Sequence, residues 1–281
     1  MARAPRKPRT GAAVPNHQPT PRDPWARLGA STPARIGLGR AGISLPTREV
    51  LALALAHAVA RDAVHASLDV AALHTALSAD GERVITVRSA NTSRAHYLTR
   101  PDLGRRLDDA SRLALEAAAG PFDLALVVAD GLSATAVGAH AAAVAAAFKP
   151  LVAQSGLTLA PVVIAEQARV ALGDDIAACL GARAVLVLIG ERPGLSSPDS
   201  LGDYLTYGPS FGDRRHTDAE RNCVSNIRRE GLPPAHAAAK LAWLVRQAFA
   251  RGTTGIALKD DSDAVLVPTH TTRSIDGRLK S

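Results

Sequence analysis

The sequence predicts an α/β fold: an open, mainly parallel, Rossmann-like sheet with flanking helices, preceded by a small, mainly helical N-terminal region. Three observations carry that expectation. Continuous apolar runs at Asp123 to Ala129 (DLALVVA), Leu159 to Ala165 and Ala184 to Ile189 (AVLVLI) read as strands buried on both faces. Helical stretches separate them, and strand, helix, strand in succession marks right-handed crossovers in a parallel sheet. Of the 281 residues 47% are hydrophobic, enough for a real core.

Residues 1–27 hold Arg3, Arg6, Lys7, Arg9, Arg22 and Arg27 against Asp23 alone, together with six prolines. With hardly any large apolar side chain to repay ordering, they read as a disordered basic tail. The mainly helical region, residues 28–119, follows. Thr47 to Val64 (TREVLALALAHAVARDAV) is Ala- and Leu-rich, comes after Pro46 and offers Thr47 as N-cap, so it reads as a helix. Leu68 to Leu77 reads as a second helix and Glu82 to Val87 (ERVITV) as a short strand. Pro101 and Asp102 are expected to open a third long helix reaching Ala119. The α/β domain is expected over residues 120–259. There, helices at Ala134 to Phe148 and Asp174 to Leu180 alternate with the three apolar strands. A strand around Tyr204 to Tyr207, an amphipathic helix from Pro234 to about Arg251, and Ile256 to Leu258 complete it. Residues 260–281 read as a flexible polar tail.

Several function classes are disfavoured by composition. No uninterrupted apolar run approaches the roughly 18 residues of a membrane span, and the arginines of the N-terminus have no apolar stretch behind them, so neither a membrane partner nor secretion is expected. Two cysteines, Cys179 and Cys223, are too few for a disulfide framework and suit a reducing cytosol. The net charge of +7 suggests nucleic acid. However, most of it sits in the first 27 residues, and 3% aromatic content leaves few stacking platforms, so no nucleic-acid partner is expected.

In an open parallel sheet, ligands bind beyond the carboxyl ends of the strands. The loops there are Asp130 to Ser133, the stretch Glu166 to Val170, and Gly190 to Gly194. Leu188 to Tyr207 (LIGERPGLSSPDSLGDYLTY) places a carboxylate, a guanidinium and a run of hydroxyl side chains at that edge, which points to a ligand rather than to packing. Other motifs have weaker contexts. Gly37 to Gly42 (GLGRAG) matches a dinucleotide-binding pattern but has no strand before it. Gly208 to Gly212 (GPSFG) matches a nucleophile elbow and makes Ser210 the nucleophile of an alternative, stand-alone serine hydrolase; a charged loop rather than a helix follows it. His57 and His65 lack a carboxylate at metal-ligand spacing. Asp174 and Asp175 suit the first turn of a helix, where acids favour the dipole.

Read in order, ARIGLGRAG (Ala34 to Gly42), LPTRE (Leu45 to Glu49), YLTRPDLGRRL (Tyr97 to Leu107), DGLS (Asp130 to Ser133), ARVALGDDI (Ala168 to Ile176), IGERPGLSSPDSL (Ile189 to Leu201) and RNCVSNI (Arg221 to Ile227) resemble the small subunit of ethanolamine ammonia-lyase, from about Ala34 to Lys259. The resemblance implies an adenosylcobalamin-dependent lyase that converts ethanolamine to acetaldehyde and ammonia by radical chemistry. It implies a large-subunit partner, a β/α barrel holding substrate and catalytic residues, within a higher-order hetero-oligomer. By the same resemblance, this chain is expected to complete the corrin site and to be inactive alone. Val170 in ARV, Glu191 in GERPG and Cys223 in RNC carry over as corrin contacts; no catalytic residue and no metal ligand of this chain is implied. A DxHxxG motif is missing, so base-on adenosylcobalamin is expected. Some members of the family enter a bacterial microcompartment through an N-terminal amphipathic helix, which this Pro/Arg-rich start cannot form. A cytoplasmic location is expected, with encapsulation left open.

Overall fold

The computed structural model describes residues 23–79, 81–208 and 216–266. Contacts divide the chain into a unit ending at Leu55 and a larger one beginning at Ala56. In the first, a 3-10 turn at Ala26–Ser31 precedes the GLGRAG motif, and no strand precedes it among the described residues. Gly37 has φ 60°, and a Cβ there would lie 2.6 Å from the Ala26 amide nitrogen, so the motif is a turn packed on backbone. Helix α1 (Thr47–His65) starts in this unit and continues into the next.

The second unit opens with α2 (Val70–Leu77), whose N-terminus Asp69 caps by accepting from the Ala72 amide. It is built on one six-stranded sheet: β1 (Val84–Arg88), β2 (Leu124–Ala129), β3 (Val162–Glu166), β4 (Ala184–Gly190), β5 (Leu201–Tyr207) and β6 (Asn222–Ile227), in the order β1-β3-β2-β4-β5-β6. The first four strands in that order are parallel. The other two differ: β5 is antiparallel to β4, and β6 antiparallel to β5. The α/β sheet is therefore mixed, a parallel core with an antiparallel ribbon along one side.

Alternation within the strands builds two apolar layers. Leu124, Leu126 and Val128 of β2 face one layer and Ala125, Val127 and Ala129 the other, which is why that run has no polar residue. On the first face pack α2, α5 (Ala134–Gln154) and α7 (Pro234–Arg251); on the second, α4 (Asp109–Glu116) and α6 (Leu172–Leu180). Each fully buried Leu, Ile or Phe, such as Leu186, Ile164 or Phe148, contributes about 1.5–3 kcal/mol. Among the described helices only α5 is long and apolar enough to cross a membrane. Its position accounts for that composition, because Val137, Val144, Phe148 and Val152 are core residues.

Two helices differ from expectation. Rather than one helix from Pro101 to Ala119, the chain forms α3 (Arg94–Thr99), a 3-10 turn at Leu103–Arg105, extended backbone at Arg106, and then α4. Asp108 caps α4 through the Ser111 amide, and the bend puts buried Gly104 under the Arg169 side chain, where a Cβ would come within 2.9 Å of its Cγ. Second, α5 runs through Pro150 to Gln154, held by burial of Val152 beyond the proline. Ile256 falls in a 3-10 turn, Gly255–Ala257. The polar segment after Lys259 begins tethered: Lys240 Nζ lies 2.8 Å from Asp260 and 2.9 Å from Asp263 in α8 (Asp263–Leu266), and Ser262 is buried.

Candidate cofactor-binding site

Adjacent strands β2 and β3 send their chains to opposite faces of the sheet, β2 into α5 and β3 into α6. A crevice must open where they part. There the structure has a cavity of about 460 Å³ at the carboxyl ends of β2, β3 and β4. Gly131 and Leu132 follow β2, Arg169 and Val170 follow β3, and Ile189 to Arg192 continue β4; Tyr97 of α3 and Tyr204 of β5 complete the wall.

The floor is backbone. Gly131 adopts φ 56°, its neighbour Leu132 donates to the Gly190 carbonyl at 2.9 Å, and a Cβ on either glycine would overlap the other loop's backbone. Only glycine lets the β2 loop and the end of β4 come this close. Asp130, at 4% exposure, holds the neighbouring loop by accepting from the Gln167 and Ala168 amides at 2.9 and 3.1 Å. That grip keeps Gln167 at φ 56°, an uncommon conformation for a residue with a side chain. Burial pushes the Asp130 carboxyl up, against the pull of those amides and of Arg94.

Of the three expected corrin contacts, Val170 and Glu191 line this one cavity. Cys223 does not line it. The cysteine lies exposed on edge strand β6, directly opposite Tyr204, with its Sγ 3.2 Å from Ser225 Oγ. Burial, with the thiol beside it, pushes the Tyr204 phenol up, so it stays protonated. Glu191 Oε2 accepts a short hydrogen bond from Ser200 and a longer one, 3.4 Å, from the Asn226 amide. Among the described residues its Oε1 has no hydrogen-bond partner, and it lies over Gly202, where a Cβ would stand only 2.8 Å away.

Sequence reasoning on single residues missed the aromatic and cationic wall. The buried Tyr97 ring carries two guanidinium groups, that of Arg169 at 4.4 Å and that of Arg94 at 4.9 Å from its centroid. Its hydroxyl donates to the Ala168 carbonyl at 2.9 Å. Tyr97 and Arg169 stand in quoted motifs, YLTRPDLGRRL and ARVALGDDI, which was the available signal. Asp203 was missed too: it is fully buried on β5, neither carboxylate oxygen has a hydrogen-bond partner among the described residues, and burial with nearby Glu191 holds its pKa well above the usual carboxylate range. Ser210 lies outside the described residues.

Comparison with known proteins matches the chain to a family. The family described as ethanolamine ammonia-lyase light chain matches residues 22–259. Ethanolamine ammonia-lyase small subunits are similar over most of their length. The one from Rhodopseudomonas palustris is 58% identical over 232 residues, covering 82% of this chain and 88% of its own. That of Xanthomonas campestris pv. campestris is 56% identical over 255 residues, covering 89% and 93%. The Pseudomonas putida protein is 49% identical over 265 residues, covering 93% and 96%. With a match this long and identity this high, the chain belongs to the ethanolamine ammonia-lyase small-subunit (light-chain) family.

Proposed function

We propose that this chain is the small subunit of an ethanolamine ammonia-lyase and completes an adenosylcobalamin site shared with a large, β/α-barrel subunit that holds substrate and catalytic residues. The single observation that carries the cofactor reading is the Glu191 carboxylate: it stands at the carboxyl end of β4, lines the cavity, and keeps Oε1 without a hydrogen-bond partner among the described residues. Corrin side chains end in amide N–H donors, and a carboxylate acceptor binds such donors more strongly than a neutral one. Val170 supplies small apolar contact, and the glycine floor lets a broad ring approach backbone. A corrinoid is several times larger than a cavity of about 460 Å³, so a second surface must cover the rest, in keeping with a chain that is inactive alone.

When bound, adenosylcobalamin, base-on in this reading, supplies the carbon-centred radical that starts conversion of ethanolamine to acetaldehyde and ammonia. The protein's part is to bind, orient and exclude water. Here Glu191 would hold the corrin's amide donors, the Gly131–Gly190 floor would let it approach backbone, and Tyr204 with Cys223 would border the ribbon side. In the assembled enzyme, Glu191→Ala weakens cobalamin affinity about tenfold or more while the chain keeps its wild-type melting temperature. Unchanged affinity would remove Glu191 from the site.

A further inference from the structure

Resting on that reading, the cationic side of the same cavity points to a part of the ligand that Glu191 cannot serve. Most buried or half-buried arginines of the larger unit have a carboxylate: Arg94 has Asp130, Arg112 has Asp175, Arg221 has Asp174, Arg228 has Asp199. Arg169 and Arg192 both line the cavity, and neither has an ion pair or side-chain hydrogen bond within the described residues. The Nε of Arg169 is buried without an acceptor, and so is Nη2 of Arg94, whose other nitrogens donate to the Val64 and Gly131 carbonyls at 2.8 Å. Buried donors of this kind are nearly always satisfied in a working state.

The acids nearby do not answer them. Asp130 is engaged by two backbone amides and by Arg94, and Glu191, bonded through Oε2 to Ser200, makes no ion pair with Arg169 or Arg192 among the described residues. The Arg169 guanidinium carbon lies over the Tyr97 ring at 4.4 Å from its centroid, and the Arg169 amide donates to the Gly104 carbonyl at 2.8 Å, so both ends of this residue are held against the wall of the cavity. Planar forks without a counter-ion select phosphate or carboxylate oxygens over neutral amides. A cobalamin carries one such group, the phosphodiester of its nucleotide loop. We propose that Arg169 and Arg192 form the subsite for this phosphodiester, so that the cavity divides the ligand's polar groups: Glu191 for amide donors, the arginines for the anion.

The test is binding, read by titration of the assembled large and small subunits with cyanocobalamin and with cobinamide, which ends before the phosphodiester. Arg169→Gln and Arg192→Gln are each expected to weaken cyanocobalamin about 10- to 100-fold and to leave cobinamide within about twofold, while Arg192→Lys, which keeps the charge, retains most of the affinity. Equal losses for both corrinoids, or none for either, overturn the subsite and leave the functional reading standing. A wild-type complex that binds neither corrinoid overturns the functional reading and the subsite with it. Arg192 is exposed, so if Arg169→Gln fails to fold, the Arg192 variants decide the matter alone.

Discussion

Arg221 grips Asp174 with both ends of its guanidinium, Nη1 to Oδ1 and Nη2 to Oδ2, each at 2.8 Å, and both side chains are buried. Thr206 Oγ1 and the His216 carbonyl accept from the same nitrogens at 2.7 and 2.9 Å. The pair ties the start of β6 to the start of α6, and so fixes Cys223 relative to the turn that carries Arg169 and Val170. Truncating one partner strands the other's charge in the core, so Arg221→Ala is expected to cost about 3–5 kcal/mol in urea unfolding. Arg221→Lys keeps the charge but cannot form the fork and should recover little of that loss.

Asp203 makes stability depend on pH. The folded state holds its proton more tightly than the unfolded chain does, because burial raises its pKa. Its cost is therefore absent below the ordinary carboxylate pKa of about 4 and grows as pH rises above it. Asp203→Asn removes that titration. Thermal melts should show the variant gaining on wild type from pH 5 to pH 8, by about 2–4 °C for each kcal/mol recovered, with no gain below pH 4. A constant difference across that range would assign the effect to packing.

Gly190→Ala puts a methyl group into the Ser133 and Asp130 carbonyls. The cost is expected to be about 1–3 kcal/mol, as for other overpacked sites. Because the floor of the cavity moves with it, corrinoid affinity should fall alongside stability, which a melt and a titration on the same sample will show.

Tyr97→Phe keeps the ring on which Arg169 stacks and removes only the hydroxyl that serves the Ala168 carbonyl. The expected loss is about 1–2 kcal/mol by chemical denaturation. Tyr97→Ala also removes the buried ring and should lose about 3–5 kcal/mol.

Strands β2, β3 and β4 were legible because burial on both faces leaves a run with no polar letter. Strand β6 gave no such sign: Asn222–Ile227 is an edge strand in which exposed Cys223, Ser225 and Asn226 are interspersed with buried Val224 and Ile227, and its order comes from pairing with β5. The long helix expected from Pro101 failed at Gly104, where the competing demand is room for an arginine 65 positions away. Asp174 illustrates the same limit. Its place in the first turn of α6 explains an acid there through the helix dipole, and nothing local announces a guanidinium arriving from residue 221. Within the site, Glu191 and Val170 were legible from topology and resemblance together, since both fall where strands of a parallel sheet end. The Tyr97–Arg169 wall was not, because two segments distant in sequence, α3 after β1 and the turn after β3, meet only when β1 and β3 are paired.

The backbone floor at Gly131 and Gly190 has a thermodynamic consequence for recognition. Neither glycine has rotamers to freeze, and Asp130 already pins the loop beside them. Ordering a ligand on that surface costs almost no side-chain entropy, whereas immobilising a long polar side chain costs about 0.5–1.5 kcal/mol. The entropic penalty of binding thus falls on the rim, chiefly on Arg192 and Glu191, and Arg169 has surrendered much of its share already by lying against Tyr97. Shape is settled by the floor before the ligand arrives, and only the rim remains to be ordered.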